Sequence, residues 1–445
     1  HTLEEVRLAA AALLPLLAAR GDAAAVGAVR ACLSHCDGQV RVAAVGALPQ
    51  LVEKGDEQAI ADILACLEDA ASEVREAAVA ALPLMASRGH EQVVATIVAR
   101  LAHPIHEVRW AAVAALPQLA DKGDHRTIAD VASRIEDPDM DVREAAVTAL
   151  AQLVDKGDDR AVDAVTARLG HPDGEVRSTA IAALPQLVDK GDARAVFAVV
   201  ASLDDVHWEV KLAALVALPL VVSKGDGRAI AAVTSLFNDR DKDVRKVAVE
   251  TFPQLVGTGD WRSIAAVVAC LEDASSDVRD AVSAALPKLV GKGKSRTITA
   301  VNSRLKHSNP GVREAAVRAL SQLAEKGDER IIAAVADRLD DEDLEVRRAA
   351  VATLPQLLDK GDAHGIDAIT ERLEHASRSI KQAALGALPQ LVEKGDERAV
   401  AATTARLEDA DVEVRAAAAG ALPRLVEKGD ARAIAAVIAR LEHED

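Results

Sequence analysis

The sequence predicts an all-α protein, an α-α superhelix (solenoid) of thirteen 34-residue helical hairpins. Three observations predict it. A Val-Arg pair, or its Val-Lys or Ile-Lys equivalent, returns every 34 residues from Val6-Arg7 to Val414-Arg415, with no insertion or deletion. A glycine follows in all thirteen copies, from Gly21 to Gly429, and splits each unit into two helix-length segments. Aromatics are nearly absent, with three Phe, three Trp and no Tyr. A thick globular core leans on aromatics, whereas thin helical layers fill with Ala, Val, Leu and Ile.

The first segment of each unit reads as one helix. Counted from the valine, apolar residues fall at offsets 0, 4, 7, 8, 11 and 12 and share one helical face, while offsets 2, 6, 9 and 13 point to solvent. Offset 9 is Pro in eleven copies (Pro49, Pro117 and Pro389 among them), with Ala151 and Ser321 as exceptions. A mid-helix Pro on the exposed face kinks the helix and leaves its freed carbonyl to water.

The helix is expected to stop at the glycine, in the left-handed conformation directly after its last turn. Asp follows in eleven copies, such as Asp56, Asp124 and Asp396, and can cap the second helix. His90 and Lys294 replace it, which predicts weaker turns there. The second helix carries an i, i+3, i+7 stripe such as Ile60, Ile63 and Leu67, and ends near an Arg (Arg100, Arg134, Arg168) that suits its dipole. For stacking, Val and Leu at offsets 5, 8 and 12 line one flank, and Ala at offset 3 with Gln at offset 10 the other. One hairpin cannot bury its face alone, but a row can.

The bulk numbers narrow the function. A formal charge of −17 argues against nucleic acid and permits basic protein partners. Cys32, Cys36, Cys66 and Cys270 form no CxxC pair and no disulfide framework, which fits the cytoplasm or another reducing compartment. No apolar run spans a membrane. The chain starts and stops in one phase of the repeat, His1 standing in the column of His443. Residues 1–445 thus read as a single continuous array, a segment of a longer one without its capping repeats, open to end-to-end stacking.

The run Asp-x-x-Val-Arg-x-Ala-Ala-x-x-Ala-Leu, seen from Asp139 to Leu150, resembles HEAT repeats, closest to the short units of phycobilisome lyases. The resemblance covers the whole chain. It implies that the Val-Arg helix is the inner, concave one. It also implies a ladder of hydrogen bonds from Arg41, Arg75 and Arg109 to turn aspartates such as Asp139, Asp173 and Asp343. The strict period and the regular proline depart from the family pattern and point to tandem duplication.

One column alternates: His35, Asp69, His103, Asp137, His171, Asp205, then Asp239 and Asp273, then His307, Asp341, His375, Asp409 and His443. Duplication of paired units at a solvent-exposed turn accounts for it more readily than a pH-sensing or metal-binding row. Cys32, His35 and Cys36 could ligate zinc, but Cys32, Cys66 and Cys270 share the column otherwise held by Arg and read as substitutions in it. His-Glu pairs at His90, His106 and His443 occupy three different columns and cannot converge on one iron site. No phosphate loop, GxSxG or HExxH occurs, so no catalytic, metal or cofactor residue is assigned and the chain is read as a non-enzyme.

The reading that remains is a protein–protein interaction scaffold binding along its concave face. Offset 2 is solvent-facing and varied, and offset 6 is mostly Ala or Gly. Candidate partner contacts are Glu76, Trp110, Glu144 and Leu212, with Trp208 in the loop before its helix. Two alternatives are a structural spacer or subunit of a large assembly, contacting through its ends or convex face, and a phycobilin lyase-like chromophore handler.

Overall fold

The computed structural model describes residues 3–290, 294–359 and 361–441. His1, Gly293, His443 and Glu444 lie outside them, as does the side chain of Lys294. Among the described residues are 26 α-helices and no strand. The chain divides into two compact units, His1–Ser223 and Lys224–Asp445. Each is a stack of the same hairpin: Gly38–Leu51 with Glu57–Cys66 in the first unit, Lys242–Leu255 with Trp261–Ala269 in the second.

Val40, Ala44, Ala47, Leu48 and Leu51 of one first helix and Ile60, Ile63 and Leu67 of the second are buried, as the periodicity predicts, and the second helix lies closest to the first helix of the next hairpin, Ser72–Met85. Each buried Val, Leu or Ile side chain contributes roughly 1.5–3 kcal/mol by leaving water. In both units, successive first helices lie side by side along their length, while successive second helices scarcely touch. The layer of Val-Arg helices is thus the more closely packed of the two, as an inner layer would be.

The turn differs in detail from the expectation. The first helix ends at Leu51 and Val52 is already extended. Gly55, at φ 96°, lies inside the turn that follows rather than directly after the helix. Its N–H donates to the carbonyl of Met85, at the end of the next hairpin's first helix, at 2.8 Å. Gly21 donates likewise to Leu51, Gly123 to Leu153 and Gly225 to Leu255. Each of these turns therefore satisfies an end carbonyl of its neighbour. The turn aspartates cap as predicted: the Asp56 carboxylate accepts the Ala59 N–H at 2.9 Å. His90 makes no such bond.

The proline expectation needs correction. Pro49, Pro117 and Pro253 are buried, and most of the others are half-buried. The helix His106–Leu119 runs on through Pro117. An inner helix has neighbours on both flanks as well as a second helix of the preceding hairpin beneath, so a face that is free in an isolated hairpin is covered in the stack. Offset 10, expected on a packing flank, is instead exposed at Gln50, Gln118 and Gln152.

The ladder exists with different acceptors. Arg109 donates through Nε and one terminal nitrogen to both carboxylate oxygens of Asp137, each at 2.7 Å. Arg41 grips Asp69, Arg177 grips Asp205, Arg245 grips Asp273 and Arg313 grips Asp341 in the same forked way. Lys381 reaches Asp409 at 2.7 Å. Asp139, Asp173 and Asp343, the acceptors the resemblance implied, cap their own following helices instead. The two aspartate columns stand two residues apart in one loop, and only the first faces back to the preceding inner helix.

The alternating column is therefore no exposed turn at its Asp positions. Asp137 is 3% exposed and Asp341 7%. Burial pushes the Asp137 carboxyl up, but the bonds from Arg109 and from the Asp139 N–H outweigh it and hold the group below the usual carboxylate range. A second row of ion pairs runs along the outer edge, Arg100 to Glu68 at 2.9 Å and Arg168 to Glu136 at 3.1 Å. The Arg near the end of the second helix thus ties neighbouring hairpins as well as meeting a dipole.

Candidate protein-binding groove

On the inner face of each unit, offsets 2, 6 and 10 of adjacent first helices form the accessible surface. In the first unit, the helices Ser72–Met85, His106–Leu119 and Met140–Leu153 frame an open groove of about 690 Å³. Its lining includes Glu76, Trp110 and Glu144, three residues that sequence reasoning selected one by one from the variable column. Trp110 is half-buried rather than exposed, because its ring lies between flanking helices. Ala114, Ala145 and Ala149 keep the surroundings of the ring low, so a ligand can approach the indole.

Four carboxylates line this groove: Glu76, Glu107, Asp141 and Glu144. Glu107 meets His106 Nδ1 at 3.2 Å. Among the described residues, Glu76 and Glu144 form no ion pair. The one arginine in the lining, Arg75, spends a terminal nitrogen on the carbonyls of Asp69 and Ala70 at 2.7 and 3.1 Å. The groove therefore offers an aromatic face with unneutralised negative charge around it. The corresponding surface in the second unit is different. There Arg318 is taken up by Glu314 and Asp280, and Arg348 by Glu345, so its charges are satisfied internally.

Leu212 and Trp208 do not join this groove. Trp208 is the first residue of the helix Trp208–Val221, not part of a loop, and is 45% exposed. Leu212 is half-buried. Sequence reasoning missed its neighbours Val216 and Leu220, 64% and 58% exposed, which continue Leu212 at i+4 and i+8 as an apolar stripe. The signal was available: at offsets 6 and 10 other copies carry mostly small residues and Gln. Trp261 lies in the second-helix layer with the Arg296 guanidinium 4.0 Å from its ring centre, so that residue is engaged within its own unit.

The metal reading finds no geometry. His35 Nδ1 accepts the Asp37 N–H, and Cys36 Sγ stands 3.9 Å from the same nitrogen. Among the described residues, no group of three or more His, Cys, Asp and Glu side chains is placed to hold an ion. Burial first, then nearby carboxylates, pushes the Cys66 thiol up to about 11 and Cys270 up to about 12. No described helix is long and apolar enough to cross a membrane.

A family profile described as HEAT repeats matches residues 80–151, 128–219, 230–321 and 264–355, more than half of the chain. The chain belongs to the HEAT-repeat family. A second profile, a HEAT repeat associated with sister chromatid cohesion, matches residues 61–82. No curated protein matches. Among solved structures, this HEAT-repeat chain is similar to Kap121p bound to RanGTP, with a TM-score of 0.59 and 12% identity over 100% of this chain and 56% of that one. It is similar to Kap121p bound to Nup53p, at 0.57 and 12% over 98% and 52%. The Kap95p structure with RanGDP gives 0.55 and 12% over 98% and 67%. The chain thus spans between about half and two-thirds of those chains, and at such identity the likeness shows the fold alone. The family match stands at the level of HEAT repeats and does not show the nearer likeness to lyase units that the Asp139 to Leu150 motif suggested.

Proposed function

We propose that this HEAT-repeat chain is a non-enzymatic scaffold that binds a protein partner along the inner helices, with its main contact at Trp110. One observation carries the reading: the stack brings Glu76, Trp110 and Glu144 into a single groove, and among the described residues neither glutamate has an ion-pair partner. An indole ringed by free carboxylates suits a segment bearing Lys or Arg, whose ammonium or guanidinium can sit over the ring. It repels a phosphate backbone. The similar Kap121p was solved with Ste12p, Nup53p and RanGTP, which supports a protein as the ligand class by analogy of fold only.

The test is a pull-down from native extract, followed by titration of the recovered partner. Trp110→Ala should weaken its binding at least tenfold, while Leu212→Ser should leave it unchanged. Equal retention by parent and Trp110→Ala would overturn the groove. A second reading, a structural subunit contacting through its outer layer, is favoured by Phe197, which stands 70% exposed on the second helix Ala193–Ser202. It expects Phe197→Ser to abolish the capture that Trp110→Ala spares. A chromophore-handling role, suggested by the lyase resemblance, would show as visible absorbance of the protein purified from its source.

A further inference from the structure

The clamp that closes each Asp position asks three things of one side chain. Asp137 Oδ1 accepts from an Arg109 terminal nitrogen and from the Asp139 N–H at 3.0 Å, and Oδ2 accepts from Arg109 Nε. A carboxylate has enough lone pairs for all three. A neutral imidazole has one acceptor nitrogen. At His103, His171, His307 and His375 that nitrogen, Nδ1, is already used by the N–H two residues on, at 2.9–3.2 Å. Nothing is left for the arginine.

The arginines opposite these histidines show the deficit. Arg143 and Arg347 are 5% and 7% exposed, yet their Nε atoms are buried without a partner. Arg143 turns its terminal nitrogen to Glu175, itself 70% exposed. Arg347 and Arg279 hold only the carbonyls of the loop before their own helix. At His35 the conflict is explicit. Nδ1 receives the Asp37 N–H at 3.0 Å while an Arg7 nitrogen stands 2.7 Å from Nε2, and a neutral ring can accept only one of them.

We infer that within each unit the inter-hairpin loops are tied in twos by Arg–Asp clamps, and that the histidine positions between them are pH-responsive hinges. In the first unit the loop at His103 is bound to the loop at Asp137, because Arg109 holds the His103 carbonyl and the Asp137 carboxylate together. The interval from Asp69 to His103 has no such bridge, since Arg75 reaches only the Asp69 side. The second unit repeats this: Arg313 bridges His307 to Asp341, and Arg279 stops at Asp273.

Protonation enlarges the difference. A proton on Nδ1 removes the acceptor of the loop N–H and places a positive ring among cations. Around His103 these are Arg75, Arg109, Arg134 on the Leu101 carbonyl, and the Arg100–Glu68 pair. Around His171 they are Arg143 with Glu175, Arg177, and the Arg168–Glu136 pair. Around His307 they are Arg279, Arg313, Lys306, Arg338 on the Leu305 carbonyl, and the Arg304–Glu272 pair. Around His375 they are Arg347, Lys381, Arg406 with Glu374, and Arg372 with Asp337 and Asp340. Glu68, Glu136, Glu175, Glu272 and Glu374 already have arginine partners. Glu107 meets His106, and Asp173, beside His171, caps its own helix, so the cations outnumber the carboxylates left to offset a new imidazolium.

Hydrogen–deuterium exchange of the whole chain at pH 7.5 and 5.5, corrected for intrinsic rates, tests this. Loops 103–109, 171–177, 307–313 and 375–381 should exchange about fivefold faster at the lower pH, the equivalent of one net hydrogen bond. Loops 137–143, 273–279 and 341–347 should not change. His103→Asp should slow exchange at its loop and abolish the step by completing a clamp with Arg75. His103→Asn supplies an uncharged acceptor and should abolish the step without adding the clamp. A step of equal size at the Asp loops, or a step that survives His103→Asn, overturns the inference. Should His103→Asp not fold, the Asn variant alone decides.

Discussion

Removing Asp137 is the sharpest probe of what holds neighbouring hairpins together. Its side chain is 1% exposed and that of Arg109 10% exposed. In Asp137→Ala the Arg109 guanidinium keeps the His103 and Pro104 carbonyls but loses both carboxylate bonds, and the Asp139 N–H loses its acceptor. Stripping one partner from a buried pair costs about 3–5 kcal/mol, because the other charge stays desolvated. A repeat array need not unfold in one step, so a single global free energy is the wrong measure. Native-state hydrogen exchange in the helices His106–Leu119 and Met140–Leu153 reads the local effect. Amide protection there should fall by roughly 10²- to 5 × 10³-fold. Asp155→Ala is the control: Asp155 meets Lys122 at the surface, 87% exposed, and its loss should leave protection unchanged. A fall below about tenfold in Asp137→Ala, or one matched by the control, would refute the claim that the clamp organises the stack.

Further outcomes follow from single positions. His90 heads its helix without a side-chain cap bond, and its Nδ1 is buried without a partner. His90→Asp should therefore stabilise by about 1 kcal/mol, seen as a higher melting temperature. Cys36 is exposed, whereas Cys66 and Cys270 are buried with raised thiols, so an alkylating reagent at pH 8 should label Cys36 rapidly and those two slowly in the folded chain. The carboxyls of Asp69, Asp137, Asp205, Asp273, Asp341 and Asp409 are all held down in the fold. Their contribution is present above the unfolded value of about 3.9 and is lost as pH falls through the lower folded values. Helicity should thus persist to about pH 4 and collapse below it, a transition absent if these pairs are inert.

The hairpin was legible because its residues answer to local rules. Val40, Leu48 and Ile63 declare their face by spacing, and Asp56 declares its cap by position. What failed needed knowledge of the neighbours. Pro49 and Pro117 looked exposed because a lone hairpin has a free flank, which stacking covers. Asp139 and Asp137 lie in one short loop, and only the backbone path decides which turns back to Arg109. The groove was half-legible: the variable column singled out Glu76, Trp110 and Glu144, but that they share a cavity, and that Leu212 belongs elsewhere with Val216 and Leu220, depends on which helices are adjacent.

The bond from Gly55 to Met85 bears on how such a chain can change its length. Inner helices such as Ser72–Met85, Met140–Leu153 and Lys242–Leu255 have their ends closed by the turn one hairpin earlier, so gaining or losing whole hairpins leaves these closures intact, whereas a fractional change breaks one. The clamps obey a coarser rule. Losing one hairpin sets two Asp loops or two His loops side by side, and only loss of a pair restores the alternation. The succession Asp205, Asp239 and Asp273 is what a single-hairpin event leaves behind. Deletion series made in steps of 34 and of 68 residues should therefore differ: both keep their helices, and the even steps keep the order of their joints.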